Sequence, residues 1–322
     1  MRLNYIQQAY KGLYDGWRYI VGTIIVIIFV FAGQIPYTIA ALLEAHKRGL
    51  NLFELNENIL MSLLESNLNL ALMLLSFAVA LVGIFIVNKF LHKMTITQLT
   101  TSRPKIDWKR FWTIFFAWGI ISSGLVLIDY FVSPENYVFN FDLNKFLILA
   151  VIAIAFVPLQ TSCEEYFFRG YLMQGIGVVA KNRWMPLIVT SVIFGMLHIA
   201  NPEVDKLGYG VMVYYIGTGL FLGIMTLMDE GLELALGFHA ANNLFTALLV
   251  TADWTAFQTH SILKDTSDPT RAGFGDVFMP VFIMFPLILF ILSKVYGWKN
   301  WKQKLFGNVD EPPKEDYKII EE

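Results

Sequence analysis

The chain has 322 residues, of which 56% are hydrophobic and only 16% are charged, and its mean hydropathy is +0.55. Soluble domains are about a quarter charged, so this composition predicts a protein that crosses a membrane several times. The net charge of −2 gives no reason to expect a nucleic-acid partner, and the single cysteine, Cys163, excludes an intrachain disulfide and a cysteine-rich zinc site.

Long apolar runs recur along the chain and predict eight transmembrane helices, because about 20 apolar residues suffice to cross a bilayer as a helix. The runs cover residues 19–43, 68–87, 111–131, 146–162, 184–200, 209–228, 232–250 and 277–292. The first run is too long for a cleaved signal peptide and is expected to be retained, with Pro36 kinking or breaking it. The predicted fold is therefore all-α, a polytopic transmembrane helical bundle of about eight spans.

The charges of the connecting segments predict how this bundle is oriented. Short segments rich in Lys and Arg stay in the cytoplasm, and the most basic one lies between the second and third spans. Its basic residues are Lys89, Lys93, Arg103, Lys105, Lys109 and Arg110. Four lysines after the last span place the C-terminus in the cytoplasm with the N-terminus. The acidic linker of residues 44–67 is then outside, and we expect it to lie on the membrane surface as a helix.

The chain is expected to divide into four segments. Residues 1–145 hold N-terminal membrane helices and linkers, residues 146–250 form a core with most of the intramembrane polar groups, and residues 251–308 hold a loop and the last span. Residues 309–322 are a polar, Pro-containing tail that we expect to be disordered. No targeting signal is visible and the layout is poor in loops, which favours a bacterial inner membrane, with an endomembrane as the alternative.

Two adjacent carboxylates and a guanidinium lie inside an apolar segment. They are Glu164, Glu165 and Arg169. Ionisable groups at membrane depth are costly, and they usually face a bundle interior or a water cavity as a functional site. On a helix Glu165 and Arg169 are neighbours at i,i+4 and are predicted to form an ion pair. That pair leaves Glu164 without an obvious local partner, so it is the candidate general base or acid.

Two histidines also lie inside apolar spans. His198 follows Phe194 by four residues, and Asn243 follows His239 by four, so the members of each pair share a helical face. Any single polar group of this kind is as readily explained by an interhelical hydrogen bond. Three spans that each carry such a set are harder to explain by packing, and they favour a functional site.

The residues leave two kinds of chemistry open. A carboxylate and an imidazole that converge on one water can activate it for attack on a carbonyl, while a second imidazole and an amide N–H can hold the oxyanion. Alternatively, Glu164, His198 and His239 could be three ligands of a divalent metal such as zinc. Neither His-Glu-x-x-His nor Gly-x-Ser-x-Gly is present, so the soluble zinc-protease and serine-hydrolase routes have no support.

In order and spacing these residues resemble the three motifs of the CPBP intramembrane proteases, also called the Abi or CAAX-protease family. The motifs read Glu164-Glu165-x-x-x-Arg169, Phe194-x-x-x-His198 and His239-x-x-x-Asn243. Each motif alone is weak, but all three in order, each in an apolar segment, are specific. The resemblance covers about residues 146–250.

The resemblance implies a multi-span endopeptidase with its site in a membrane-embedded cavity open to the cytoplasmic half of the bilayer. By motif position, Glu164 and His198 would activate the water, and His239 and Asn243 would hold the oxyanion. Three further motif residues would support the site structurally: Glu165, Arg169 and Phe194. The resemblance does not decide whether a metal takes part.

The expected function is cleavage of peptide bonds in a membrane-associated substrate, either a prenylated protein or a peptide precursor. The expected partners are the lipid bilayer and that peptide or protein substrate. A non-proteolytic scaffold or immunity protein of the same fold is the alternative, since fold does not determine function. A proton- or ion-coupled transporter would also bury carboxylates and histidines, but it would more often show an internal repeat, and none is visible.

Overall fold

The computed structural model describes residues 3–51, 59, 62–271 and 274–313, and the fold is a helical bundle as predicted. In chain order the helices are α1 (Gly16–Lys47), α2 (Ser66–Ile86), α3 (Ile96–Thr100), α4 (Trp108–Val132), α5 (Leu143–Glu165), α6 (Met173–Ala180), α7 (Trp184–Met196), α8 (Pro202–Leu207), α9 (Met212–Asp229), α10 (Glu233–Leu249), α11 (Phe274–Met279), α12 (Phe285–Val295) and α13 (Trp301–Phe306). Short 3₁₀ helices cover Ile6–Lys11, Pro134–Asn136, Tyr209–Val211 and Pro269–Arg271, and π-helical turns cover Val87–Leu91, Tyr166–Leu172 and Pro280–Met284. The strands are β1 (Tyr137–Phe139), β2 (Val250–Ala252) and β3 (Leu263–Asp265).

Six helical segments in the described residues are long and apolar enough to cross a membrane. They are Gly16–Lys47, Ser66–Leu91, Trp108–Val132, Leu143–Ala180, Tyr209–Asp229 and Val277–Val295. The other two predicted spans form shorter helices, α7 with 13 residues and α10 with 17. At 1.5 Å per residue α7 is about 20 Å long, against a hydrocarbon core of about 30 Å. The predicted count of eight full-length spans is therefore not confirmed.

Three further predictions concern Pro36, the acidic linker and the C-terminal tail. Helix α1 runs through Pro36 without a break; membrane helices tolerate proline where neighbouring helices or local adjustments of the helix satisfy the backbone groups that it frees. In the predicted surface helix of the linker, residues 52–58, 60 and 61 lie outside the described residues. In the predicted tail, Val309 is fully buried and its backbone N–H donates to the carbonyl of Lys181, while residues 314–322 lie outside the described part.

Helix α10 is the most enclosed element of the bundle. It packs against α4 on one side and α5 on the other, and α5 packs in turn against α2. Residues 233–241 of α10 are all buried. In contrast, α1 exposes a row of isoleucines that includes Ile20, Ile24 and Ile28, a contiguous apolar surface suited to lipid. The polar groups of α10 are thus shielded from the bilayer by protein.

The loops gather at two ends of the bundle. At one end Thr101 pairs with Gly231, and Arg103 bonds Asp229 at 2.8 Å. At the other end His260 Nε2 lies 2.6 Å from Glu65 Oε1. The first contacts join loops that the predicted topology places in the cytoplasm, and the contact between His260 and Glu65 joins loops that it places outside. The contacts therefore agree with the predicted alternation of the chain, while the choice of the cytoplasmic end stays a prediction.

A small three-stranded sheet, which the sequence analysis did not predict, joins the ends of α5 and α10. The strand order is β1-β3-β2, with β1 antiparallel and β2 parallel to β3. Strand β1 precedes α5, and β2 directly follows α10. Strands of three residues are too short to show an alternating pattern in the sequence, so the hydropathy signal could not reveal them.

Candidate active site

The predicted ion pair between Glu165 and Arg169 forms in the centre of the protein. Arg169 Nη1 donates to Glu165 Oε1 at 2.9 Å, and neither side chain has any exposed surface. Arg169 Nη2 also donates to the carbonyl of Gly219 on α9 at 3.3 Å. A buried pair needs such additional hydrogen bonds to offset its loss of hydration. The pair thereby fixes the end of α5 against α9.

Phe194 links this arginine to both histidines. Its ring centroid lies 4.2 Å from Arg169 Cζ, a cation–π contact. The same ring lies 4.8 Å from the ring of His198 and 6.3 Å from that of His239. Phe194 is only 3% exposed, so it acts as a rigid spacer between the three side chains.

His239 stands between the two carboxylates of α5. Its Nδ1 lies 2.8 Å from Glu165 Oε1, and its Nε2 lies 3.5 Å from Glu164 Oε2 and 3.5 Å from Asn243 Nδ2. Because the carboxylate of Glu165 can only accept, Nδ1 is the donor in that bond. The other ring nitrogen, Nε2, therefore faces Glu164 and Asn243.

Glu164 has a local partner that the sequence analysis missed. Gln160, four residues earlier on α5, donates from Nε2 to Glu164 Oε1 at 2.8 Å. The expectation that Glu164 lacks a local partner is therefore wrong. Gln160 also accepts from Asn243 Nδ2 at 3.2 Å, and so it joins α5 to α10. The available signal was an amide at i−4 from Glu164 inside an otherwise apolar run.

His198 lies beside this group. It sits in the turn that follows α7, half-buried, with Nδ1 donating to the carbonyl of Phe194 at 2.8 Å and its ring stacked on Tyr215 at 4.5 Å. Within the described residues no hydrogen bond or ion pair joins it to Glu164, His239 or Asn243. The structure thus brings three of the four predicted catalytic side chains into contact with one another and places the fourth, His198, against the Phe194 ring.

The three residues predicted as possible metal ligands, Glu164, His198 and His239, are not gathered as a ligand set. Across the described ranges no group of three His, Cys, Asp or Glu side chains is placed to hold a metal ion. One nitrogen of His239 is bonded to Glu165, and His198 is turned toward the carbonyl of Phe194. The side chains as placed do not fit a metal.

A network of ion pairs holds the start of α10, six residues before His239. Arg103 bonds Glu233 at 3.1 Å and Asp229 at 2.8 Å, and Arg110 bonds Asp229 at 2.6 Å. Six residues of helix span about 9 Å. The site is therefore near the charged end of the bundle rather than near the end that carries the sheet.

Comparison with known proteins places this chain in a family. A family model described as type II CAAX prenyl endopeptidase Rce1-like matches residues 143–245, a segment that contains every predicted site residue. The uncharacterized protein YyaK of Bacillus subtilis (strain 168) is 30% identical over 250 residues, which is 77% of this chain and 83% of YyaK. The chain belongs to the CPBP family. The motif resemblance in the sequence is thereby confirmed.

A more distant relative matches only part of this CPBP chain. An uncharacterized protein of Mycoplasma capricolum subsp. capricolum is 29% identical over 111 residues, 34% of this chain and 30% of the relative. No solved structure matches. The family is thus shown by sequence, and the site geometry comes from this structure alone.

Proposed function

We propose that this CPBP protein is an intramembrane endopeptidase that cleaves a membrane-associated substrate with an activated water. The observation that supports it is the convergence of Glu164, His239 and Asn243 from two helices on one partly buried spot, with His239 Nε2 3.5 Å from polar atoms of both other residues. The Rce1-like match supports the same reaction class.

In the proposed reaction Glu164 takes a proton from the attacking water, while Nε2 of His198 accepts a hydrogen bond from the same water and helps to orient it. Nδ1 of His198 already donates to Phe194, so its Nε2 is the nitrogen that can accept. The hydroxide adds to the peptide carbonyl carbon, and the resulting oxyanion accepts from Asn243 Nδ2 and His239 Nε2. The C–N bond then breaks as the proton passes from Glu164 to the leaving amine.

The oxyanion role requires a proton on Nε2 of His239 as well as on Nδ1. Glu165 orients the ring for this role, because its carboxylate accepts from Nδ1 at 2.8 Å. Arg169 and Phe194 keep Glu165 in place through the ion pair and the cation–π contact. The supporting residues thus act through His239 and do not touch the substrate.

The proposed substrate is a prenylated protein or peptide precursor that reaches the site from the cytoplasmic side. The charged end of the bundle, which the sequence assigns to the cytoplasm, is the nearer one to His239. A substrate anchored in the lipid would present its peptide bond close to that end. The proposed location is a bacterial inner membrane, with both termini in the cytoplasm.

The test is cleavage of a membrane-tethered peptide library by purified protein beside Glu164→Gln and His198→Ala. Loss of a general base lowers the rate by about 10²- to 10⁴-fold, which is the expected result for both variants. Arg48→Ala, a change at a half-exposed ion pair far from the site, is the control and should cleave as the wild type does. A parallel series with chelator decides whether a metal is required.

Two other results would change the interpretation. Unchanged cleavage by both variants would overturn the site assignment. If the wild type is as inert as the variants, and the variants lose a binding partner in cells, the protein is a scaffold of the same fold rather than a protease.

A further inference from the structure

Five side chains form an unbroken chain of hydrogen bonds from α4 through α10 to Glu164. Trp118 Nε1 donates to Asn242 Oδ1 at 3.1 Å, and Asn242 Nδ2 donates to Asn243 Oδ1 at 3.2 Å. Asn243 Nδ2 donates to Gln160 Oε1 at 3.2 Å, and Gln160 Nε2 donates to Glu164 Oε1 at 2.8 Å. We call this chain the amide relay. Trp118, Asn242 and Gln160 belong to none of the three family motifs.

The direction of the amide relay is set at both of its ends. An indole N–H can only donate, so Asn242 must turn its oxygen toward Trp118 and its amino group toward Asn243. At the other end a carboxylate can only accept, so Gln160 must turn its amino group toward Glu164 and its oxygen toward Asn243. Both requirements leave Asn243 one orientation, with Oδ1 toward Asn242 and Nδ2 toward the site.

The components of the amide relay are held too firmly to rearrange freely. Gln160 is 4% exposed, and Trp118 is 6% exposed with its indole stacked on Phe238 at 4.5 Å, while Asn242 and Asn243 between them are half-buried. A buried amide without a partner costs about 1–3 kcal/mol. If one amide were reversed, its oxygen would face the oxygen of one neighbour, and its amino group would face the amino group of the other. The relay therefore keeps a single polarity.

We propose that Gln160, Asn242 and Trp118 are positioning residues that orient the active site through this relay. The inference rests on the proposed function, because Asn243 is the proposed oxyanion donor and Glu164 the proposed base. The relay keeps the amino group of Asn243 on the side of His239 and holds Oε1 of Glu164. With the opposite polarity, the oxygen of Asn243 would face the oxyanion and repel it.

The first test is Asn242→Asp, which keeps the size of the side chain. One carboxylate oxygen still accepts from Trp118, but the other cannot donate to Asn243, so the amide of Asn243 turns round to donate to it. We expect kcat to fall about 10²-fold, as for the loss of one oxyanion-hole donor, with KM unchanged. Gln160→Leu should give a loss of the same kind, because it removes the hydrogen bonds that hold both Asn243 and Glu164 in their orientation.

The matched control is Gln174→Leu. Gln174 is also buried and also lies in the Leu143–Ala180 span, but it donates to the carbonyls of Tyr5 and Gln98, outside the relay. It should lower thermal stability as Gln160→Leu does and leave kcat unchanged. A fall in kcat for Gln174→Leu equal to that for Gln160→Leu would show a merely structural effect and overturn the proposal.

A measurement without substrate tests the relay independently of the proposed function. In protein labelled with ¹⁵N-tryptophan, the indole signal that disappears in Trp118→Phe belongs to Trp118. Gln160→Leu should shift this signal, although Gln160 is separated from Trp118 by two asparagines, and Gln174→Leu should not. An unshifted signal overturns the relay. If Glu164→Gln cleaves as the wild type does, the proposed function fails, and the indole signal still decides on the relay.

Discussion

Arg169 and Glu165 have no exposed surface, so each depends on the other for charge compensation. In lipid-surrounded protein no solvent replaces a lost partner, and an isolated buried charge costs several kcal/mol. The second bond of Glu165, to Nδ1 of His239, uses the same oxygen atom. The stability of the site and the orientation of its histidine therefore depend on one carboxylate.

We predict that Arg169→Ala lowers the free energy of unfolding by about 3–5 kcal/mol, because it leaves the Glu165 carboxylate buried and unpaired. Thermal unfolding in detergent measures this. The control is Arg48→Ala, whose pair with Glu44 is half-exposed and should be worth less than about 1 kcal/mol. Replacing both partners with apolar residues, Arg169→Met with Glu165→Leu, should recover part of the loss. Equal effects of Arg169→Ala and Arg48→Ala would contradict the prediction.

Cys163 is adjacent to Glu164 but is only 7% exposed and packs in the core. We predict that Cys163→Ala cleaves the substrate as the wild type does, and that a thiol-blocking reagent leaves the wild type active, because in the proposed reaction water rather than a thiolate attacks. Loss of cleavage in a folded Cys163→Ala variant would instead indicate a thiol nucleophile.

At the scale of the elements, the close approach of α7 and α9 places the Phe194–His198 segment. Four glycines lie in or just before α9, and three of them make close packing contacts. A Cβ on Gly217 would lie 2.6 Å from Val281, one on Gly219 2.8 Å from the carbonyl oxygen of Ser191, and one on Gly223 2.6 Å from Leu187. Gly210 has no atom within 4 Å of such a Cβ and makes no contact of this kind.

We predict that Gly219→Ala destabilises the protein by about 1–3 kcal/mol, because the obstacle is the backbone of α7 and cannot rotate away. The same change should lower activity, since the carbonyl of Gly219 also accepts from Arg169. Gly124→Ala on α4 is the control: its Cβ would meet nothing within 4 Å, so stability should be unchanged or slightly higher. Thermal unfolding and cleavage by both variants check this. Two equal unfolding curves would be inconsistent with close packing at Gly219.

At the scale of the whole molecule, the loops divide between two ends, and the Lys- and Arg-rich ones share an end. Part of this charge is compensated, since Arg103 and Arg110 bond Asp229, and Arg183 bonds Glu230. The rule for membrane orientation counts Lys and Arg rather than net charge, so the pairs do not weaken the assignment.

We predict that the end with Arg103 faces the cytoplasm, which cysteine labelling in intact cells can check. Cys163 is buried and should not react, so one exposed cysteine can be added at a time. Glu135→Cys, near the sheet, should react with a membrane-impermeant maleimide in intact cells. Lys105→Cys, beside Arg103, should react only after the membrane is opened. The reverse pattern would invert the topology and place the proposed substrate on the outer side.

The sequence alone predicted those features that are local to one segment. Hydropathy and length decide whether a segment suits a membrane, and the i,i+4 spacing predicted the Glu165–Arg169 pair that the structure shows at 2.9 Å. The order of the motifs indicated the family. Each of these depends only on residues close together in the chain, which is why a sequence suffices to predict them.

Only the tertiary structure decided which faces of the helices meet. The bonds from Gln160 to Asn243 and from Trp118 to Asn242 join residues 83 and 124 positions apart. The position of His198 beside the Phe194 ring depends on a turn that ends α7 at Met196. The sheet that ties α5 to α10 depends on pairing between loops. Such contacts arise from packing between elements, and hydropathy and spacing within one segment carry no information about them.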